Sequence, residues 1–309
     1  MHRKARATIR DIKSLKIQGA RNVARSAVEA LMAAAKDSKA KSASSLLKEL
    51  SLTARALSES RPTEPMMRNL LDEALSFGEE KAEEARSVAE LKRALISHEN
   101  DTLAEVQSAA ERLARYGAEM IPDGALVLTH CHSSTVTKSI IQAKKMRKKF
   151  SVVCFETRPR YQGRITAAEL AEAGIDVTLS VDGGMQRFMK KADIVLVGAD
   201  SVTSRGDLIN KIGTSTLAHI ARMNDVSFYS CAELYKYSPM TIFGEREEIE
   251  QRDPREVWER PPKRIKINNP AFEATAAKYV SGYVTELGVI PPQSFFTMAS
   301  QKLGIKLYE

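Results

Sequence analysis

The chain has 309 residues, 43% hydrophobic and 28% charged, an ordinary soluble balance with length for two domains. No apolar run approaches the ~20 residues of a membrane-spanning helix, and the first residues, MHRKARATIRDIKSLK, lack the apolar core of a secretion signal. Cys131, Cys154 and Cys231 form no CxxC pair and no metal-ligand spacing, so free thiols, a reducing cytoplasm, no bound metal and no membrane are expected. The net charge of +8 is concentrated at the start, where residues 1–25 carry eight Lys/Arg against one Asp. Such a segment can bind nucleic acid. Without aromatic stacking residues or a binding motif, nucleic acid is not expected, and a solvated helix face or a phosphorylated ligand is the simpler counterpart.

From the N-terminus to about residue 118 the apolar residues follow helical spacing only. Ile17–Ala20 interrupts the first helices, and Gly19 allows a bend or a close backbone approach. Leu46, Leu47, Leu50, Leu52, Ala54 and Leu57 suit a helix over 43–59, which ends before Pro62. Residues 79–115, with Ala, Val and Leu among Glu, Lys and Arg, fit one or two long amphipathic helices.

After Pro122–Asp123–Gly124 the pattern changes. Short apolar runs at 125–128, 151–155, 177–181, 194–197 and 226–230 read as strands. Helical segments at roughly 134–148, 165–173, 184–191 and 209–223 separate them. Strands alternating with helices imply a parallel sheet covered on both faces. The expected fold is therefore α/β: an all-helical domain over 1–118, then a Rossmann-like, doubly wound domain over 119–309. Ligands of such sheets sit beyond the carboxyl ends of the strands.

Those ends carry polar residues. The first strand runs into Thr129–His130–Cys131–His132–Ser133–Ser134. Cys131 near a helix N-terminus would have a lowered pKa and could be a thiolate; it could equally be a small buried apolar residue. Ser133 or Ser134 can cap the helix and offer a donor to phosphate. Arg158 and Arg160 follow the second strand, in a turn suited to an anion, a subunit contact or a surface ion pair. Asp200 follows the fourth strand, placed for acid or base work or for capping a turn. Asn210 and Lys211 are read as opening the next helix, where Lys211 and the local N–H groups make a phosphate cradle. Lys236 lies beyond the fifth strand.

The stretches THCHSS, TRPRYQGRITAAELAEAGI, VGADSVTSRGDLINKIGT, AELYKYSP and NPAFEAT with VTELGVIPP resemble one family. It joins the regulatory subunits of translation initiation factor 2B with isomerases of methylthioribose 1-phosphate and ribose 1,5-bisphosphate. The likeness is greatest to the archaeal ribose-1,5-bisphosphate isomerase branch. The resemblance implies the two-domain fold read above, Cys131 and Asp200 as the catalytic pair, and no cofactor. It also implies AMP as an allosteric activator and a homo-oligomer, a dimer or a hexamer built of dimers. Gln18, Gly19, Ala20, Arg21, Arg61, Ser133, Ser134, Thr135, Asn210, Lys211 and Lys236 would bind the sugar bisphosphate. Gln18 and Ser134 stand where many members carry arginine and lysine. In the expected chemistry Asp200, protonated, donates to the ring oxygen while the Cys131 thiolate removes the proton from C2. A non-enzymatic initiation-factor subunit and a methylthioribose-1-phosphate isomerase are the alternative readings.

Overall fold

The computed structural model describes residues 1–305, and the chain divides into two compact units inside one long helix, at Ser108/Ala109. The first unit is wholly helical: α1 (Arg3–Lys13), α2 (Ala20–Asp37), α3 (Ala43–Ser58), α4 (Pro65–Glu84) and the first part of α5 (Val88–Glu119). Local chemistry sets the boundaries. Gly19, with φ of 81°, turns the chain between α1 and α2. Ser42 and Ser45 cap the start of α3 reciprocally, and Pro65 opens α4 where its missing N–H is harmless. The face of α2 bearing Val23, Ala27, Ala30, Leu31 and Ala34 is buried against α4, α1 and α3. The amphipathic pattern over 79–115 resolves into two helices separated at residues 85–87.

The second unit is built on a seven-stranded sheet. In chain order its strands are β1 (Ala125–His130), β2 (Phe150–Phe155), β3 (Asp176–Ser180) and β4 (Ile194–Gly198), then β7 (Ser227–Cys231), β9 (Gly282–Thr285) and β10 (Gly288–Ile290). Their spatial order is β10-β9-β7-β4-β1-β2-β3, parallel throughout except for β10. Helices α6 (Ser134–Lys145), α7 (Gln162–Glu172), α8 (Met185–Met189), α9 (Thr214–Met223) and α10 (Phe295–Leu303) make or accompany the connections. Val127, Val152, Cys154, Ile194 and Leu196 from the sheet join Val136, Ile140 and Leu170 from the helices in one core. This is the doubly wound α/β architecture expected from the strand and helix alternation. The chain moves outward from β1 to β3 and then returns to the other side of β1, so a switch point opens between β1 and β4.

A separate three-stranded sheet, β5 (Ser201–Val202), β6 (Leu208–Lys211) and β8 (Phe272–Thr275), corrects one expectation. Residues 209–211 do not open a helix. All four residues of β6 are buried and paired antiparallel with both neighbours, and α9 starts only at Thr214, after Gly213 with φ of 101°. A four-residue segment carries too little periodicity to separate strand from helix.

Within the helical unit Glu99 is 2% exposed, set among Leu31, Met32, Leu47, Leu50 and Leu95. Neither of its carboxyl oxygens has a hydrogen-bond partner among the described residues. Burial, helped by the charge of Glu73, pushes its pKa from 4.5 up to about 8. His98, the preceding residue, approaches Glu73 at 3.7 Å. Because the folded-state value is raised, the neutral acid is the form compatible with the fold. Stability should be full below the unfolded pKa near 4.5, fall as pH rises, and level off above about 8. Each unit of displacement corresponds to about 1.4 kcal/mol. In urea titrations, Glu99→Gln should match the parent protein near pH 4.5 and exceed it at pH 8.5. Parallel pH dependences for the two proteins would contradict this account.

Candidate active site

The switch point gathers the chemistry of the second unit. Cys131 follows β1 directly and adopts φ of 67°, a left-handed conformation rare for any residue with a side chain. Its backbone is held on both sides: the N–H donates to Thr157 Oγ1 at 2.8 Å, and the carbonyl accepts from Thr166 Oγ1 at 2.9 Å. Ser133 is the N-cap of α6, and its hydroxyl accepts from the Val136 N–H. A Cβ on Gly198, at the end of β4, would lie 2.7 Å from the Ser133 Cβ, so glycine lets the two strand ends approach. Ser134 is exposed, whereas Thr135 is buried with its hydroxyl 3.5 Å from Glu233 Oε1.

On the β4 side, Asp200 donates its backbone N–H to the Ile209 carbonyl, which ties it to β6. Asn210 is buried and donates from its amide to Thr214 Oγ1 at 3.1 Å. Lys211 is 9% exposed, with its ammonium 4.4 Å from the centre of the Phe272 ring, its cross-strand neighbour on β8. The ammonium of Lys236 donates to the Ala199 carbonyl at 2.8 Å and lies 3.2 Å from Glu233. The expected phosphate cradle at α9 is corrected here. Glu273 Oε1 accepts the N–H groups of Gly213 and Ser215 at 2.7 and 2.8 Å, so a carboxylate of the protein already occupies that helix end.

Gln18, Gly19, Ala20, Arg21 and Arg61 all belong to the helical unit. Gln18 donates to the Leu15 carbonyl, Gly19 and Ala20 form the start of α2 with Arg21 in its first turn, and Arg61 pairs with the buried Glu64 at 3.4 Å. Of the two arginines after β2, Arg160 pairs with Glu256 at 2.9 Å and Arg158 donates to the Val257 carbonyl at 3.2 Å. This is the ion-paired loop among the alternatives read from the sequence.

The protonation state of Cys131 is a second correction. A thiol lowered by a helix terminus was expected. Instead, desolvation pushes it up to about 11; Lys211 opposes the rise, and Asp200 and Asp182 add to it. The reason is positional. Cys131 lies three residues before α6, and the N-cap of that helix is Ser133. The same interactions show that the sulfur lies within electrostatic reach of both Asp200 and Lys211.

Sequence reasoning took the histidines beside the thiol as orienting or packed groups, and it missed Thr157 and Asp182, the other supports of this corner. His130 is 2% exposed, and its Nε2 lies 2.8 Å from the Ile212 carbonyl. A carbonyl only accepts, so Nε2 carries the proton. Thr157, at φ of 63°, is fixed by Asp182, whose oxygens accept the N–H groups of Thr157 and Arg158 at 2.8 and 2.7 Å. The available signal was position: Thr157 stands just beyond β2, the strand beside β1. His132 turns away toward α7, 3.1 Å from Thr166 Oγ1 and 3.9 Å from Glu169.

A helical unit followed by a doubly wound sheet, with a thiol and a carboxylate at the ends of its two central strands, defines the class of the protein. The model of the initiation factor 2 subunit family matches residues 16–292, and the chain belongs to that family. Ribose 1,5-bisphosphate isomerase of Pyrococcus furiosus is 38% identical over 298 residues, 95% of this chain and 92% of that protein. Methylthioribose-1-phosphate isomerase of Pelotomaculum thermopropionicum is 34% identical over 91% of this chain and 81% of its own length. Among solved structures, translation initiation factor eIF-2B of Pyrococcus horikoshii superposes with a TM-score of 0.81 at 30% identity, covering 94% of this chain and 98% of that one.

The raised thiol gives a direct expectation. Alkylation of Cys131 by iodoacetamide, followed by peptide mass analysis, should be slow at pH 7 and gain about tenfold per pH unit through pH 9. Cys154 and Cys231 are fully buried and should label far more slowly. Lys211→Met should slow the reaction of Cys131 further by removing the opposing charge. A rate that levels off below pH 8 would contradict the assigned protonation state.

Proposed function

We propose that the protein is a sugar-phosphate isomerase that converts ribose 1,5-bisphosphate to ribulose 1,5-bisphosphate, with Cys131 and Asp200 as its acid–base pair. The isomerase class is supported by relatives of that name aligned over 95% of the chain at 38% identity. The observation that supports the residue assignment is positional: Cys131 and Asp200 follow the paired central strands β1 and β4, where Gly198 leaves room for Ser133 at the switch point.

The phosphate on C1 limits the route, because a free C1 aldehyde would require its loss. In the proposed first step the Cys131 thiolate takes the C2 proton. The C2–H electron pair becomes the C1=C2 bond, and the C1–ring oxygen bond breaks as Asp200 protonates that oxygen. C1 keeps its phosphate. In the second step the C2 hydroxyl returns its proton to Asp200 while the Cys131 thiol protonates C1. The product is the 2-ketose bisphosphate, and both groups recover their starting forms. Each positioned group contributes roughly 10²–10⁴-fold. The working form holds one proton between the two groups, so kcat/KM should fall both in acid, where the pair gains a second proton, and in alkali, where it loses the last one.

Two phosphates bring about four negative charges. Lys211, Lys236, Asn210 and Ser133 to Thr135 are the candidate partners in the sheet unit, and Gln18 to Arg21 with Arg61 those in the helical unit. AMP is proposed as an activator and a homo-oligomer as the working form, both on the family resemblance. The methylthioribose-1-phosphate isomerase relatives, 34% identical, make that monophosphate the alternative substrate.

Purified protein should form ribulose 1,5-bisphosphate from ribose 1,5-bisphosphate, with faster turnover when AMP is added. Cys131→Ser and Asp200→Asn should each lower kcat by on the order of a hundredfold or more. Absence of product with and without AMP, alongside turnover of methylthioribose 1-phosphate, would transfer the assignment to the second sugar.

A further inference from the structure

We infer that His130 and Thr157 form a brace that holds Cys131 in register with Lys211, and that His130 is a positioning residue with no part in proton transfer. The inference rests on the reading of Cys131 as the reacting thiol. Three observations carry it. First, both ring nitrogens of His130 face protein groups. Nε2–H donates to the Ile212 carbonyl at 2.8 Å, and Nδ1 faces the Thr157 hydroxyl at 3.4 Å, with Asp182 Oδ1 at 3.9 Å. The Thr157 hydroxyl gives its proton to the Phe155 carbonyl at 3.1 Å, so the buried imidazole is anchored by a hydrogen bond at Nε2 and packed against protein groups at Nδ1.

Second, the β6–α9 corner is shaped around this ring. A Cβ on Gly213 would lie 2.8 Å from His130 Nε2 and 2.9 Å from Cε1. Ile212, the partner of the imidazole, adjoins Lys211 in sequence. The end of β1, which carries the thiol, is therefore tied through one side chain to the corner that carries the buried ammonium.

Third, Thr157 completes the tie. Its hydroxyl oxygen accepts the N–H of Cys131 and lies against His130 Nδ1, while Asp182 fixes its own backbone. The left-handed conformation of Cys131 is unfavourable for a residue with a side chain and persists only when its surroundings enforce it. Asp182 and Lys211 are the charged groups that bear on His130. Burial lowers the His130 pKa, outweighing the opposing hydrogen bond to the Ile212 carbonyl and the charge of Asp182, while Lys211 adds to the fall.

The test compares His130→Gln, whose amide can still donate toward Ile212, with His130→Phe, which fills the volume without hydrogen bonds. A brace predicts that the Phe variant loses on the order of a hundredfold in kcat, the scale of a misplaced reacting group. The Gln variant should recover most of that loss and keep the parent's pH profile. Equal loss in both variants, with disappearance of one limb of the pH profile, would overturn the inference in favour of proton transfer.

A second readout needs no substrate. Lys211→Met should slow iodoacetamide labelling of Cys131 in the parent and in His130→Gln, but by a smaller factor in His130→Phe, where the register is lost. Thr157→Val should behave like His130→Phe, and Thr157→Ser like the parent. An undiminished effect of Lys211→Met in both His130→Phe and Thr157→Val would sink the brace even if isomerase turnover is confirmed. A diminished effect in a protein inactive on every sugar phosphate would preserve the brace and dismiss the isomerase reading.

Discussion

The site depends on a constraint of chain topology. In a parallel sheet wound outward in both directions from its first strand, the connections after β1 and β4 leave toward opposite sides, and nothing in the sheet fills the gap between the two strand ends. Residues just past β1 and β4 therefore meet whether or not they attract each other. Here they are a thiol and a carboxylic acid, Cys131 and Asp200, with Gly198 removing the side chain that would hold the ends apart.

The second element is a cation buried by a separate piece of chain. Lys211 sits on a strand of the small sheet with its ammonium over Phe272, and the Ile212–His130 hydrogen bond relates that strand to the end of β1. Unlike Lys236, which is locked between Glu233 and the Ala199 carbonyl, Lys211 forms no ion pair with a carboxylate among the described residues. A partly desolvated cation of this kind favours negative charge on a neighbour, including a thiolate or a developing oxyanion. Its charge acts to lower the Cys131 pKa, although burial outweighs it. Reactivity at this corner is then set by burial, which keeps the sulfur protonated, against a lysine that favours its ionisation.

Much of this architecture was legible from residue order. The five strand runs, the helices between them and the wholly helical first part follow from periodicity. The polar residues at strand ends single out Cys131 and Asp200 as candidates before any coordinates, and the family resemblance supplies their proposed roles and that of Lys211. What failed did so for physical reasons. LINKI is too short for its period to distinguish β6 from the first turn of α9, and the partner that makes it a strand, β8, lies some sixty residues later. The phosphate cradle at α9 was misread because Glu273, which fills it, comes from that same distant strand. The raised thiol was misread because position relative to a helix end is local, whereas desolvation depends on everything folded around the sulfur. His130 and Thr157 lie in separate motif stretches, and their pairing exists only once β1, β2 and the β6–α9 corner are side by side.

The central claim is that a single sugar lies across the β1/β4 switch point, between sulfur and carboxyl. The most direct measurement is a crystal structure of the Cys131→Ala variant, with its chemistry halted, in complex with ribose 1,5-bisphosphate. The account requires C2 of the furanose to face the emptied position of Cys131, the ring oxygen to lie within hydrogen-bond distance of Asp200, and an anionic oxygen to approach Lys211. A bisphosphate bound elsewhere, or one whose C2 and ring oxygen face neither position, would contradict it.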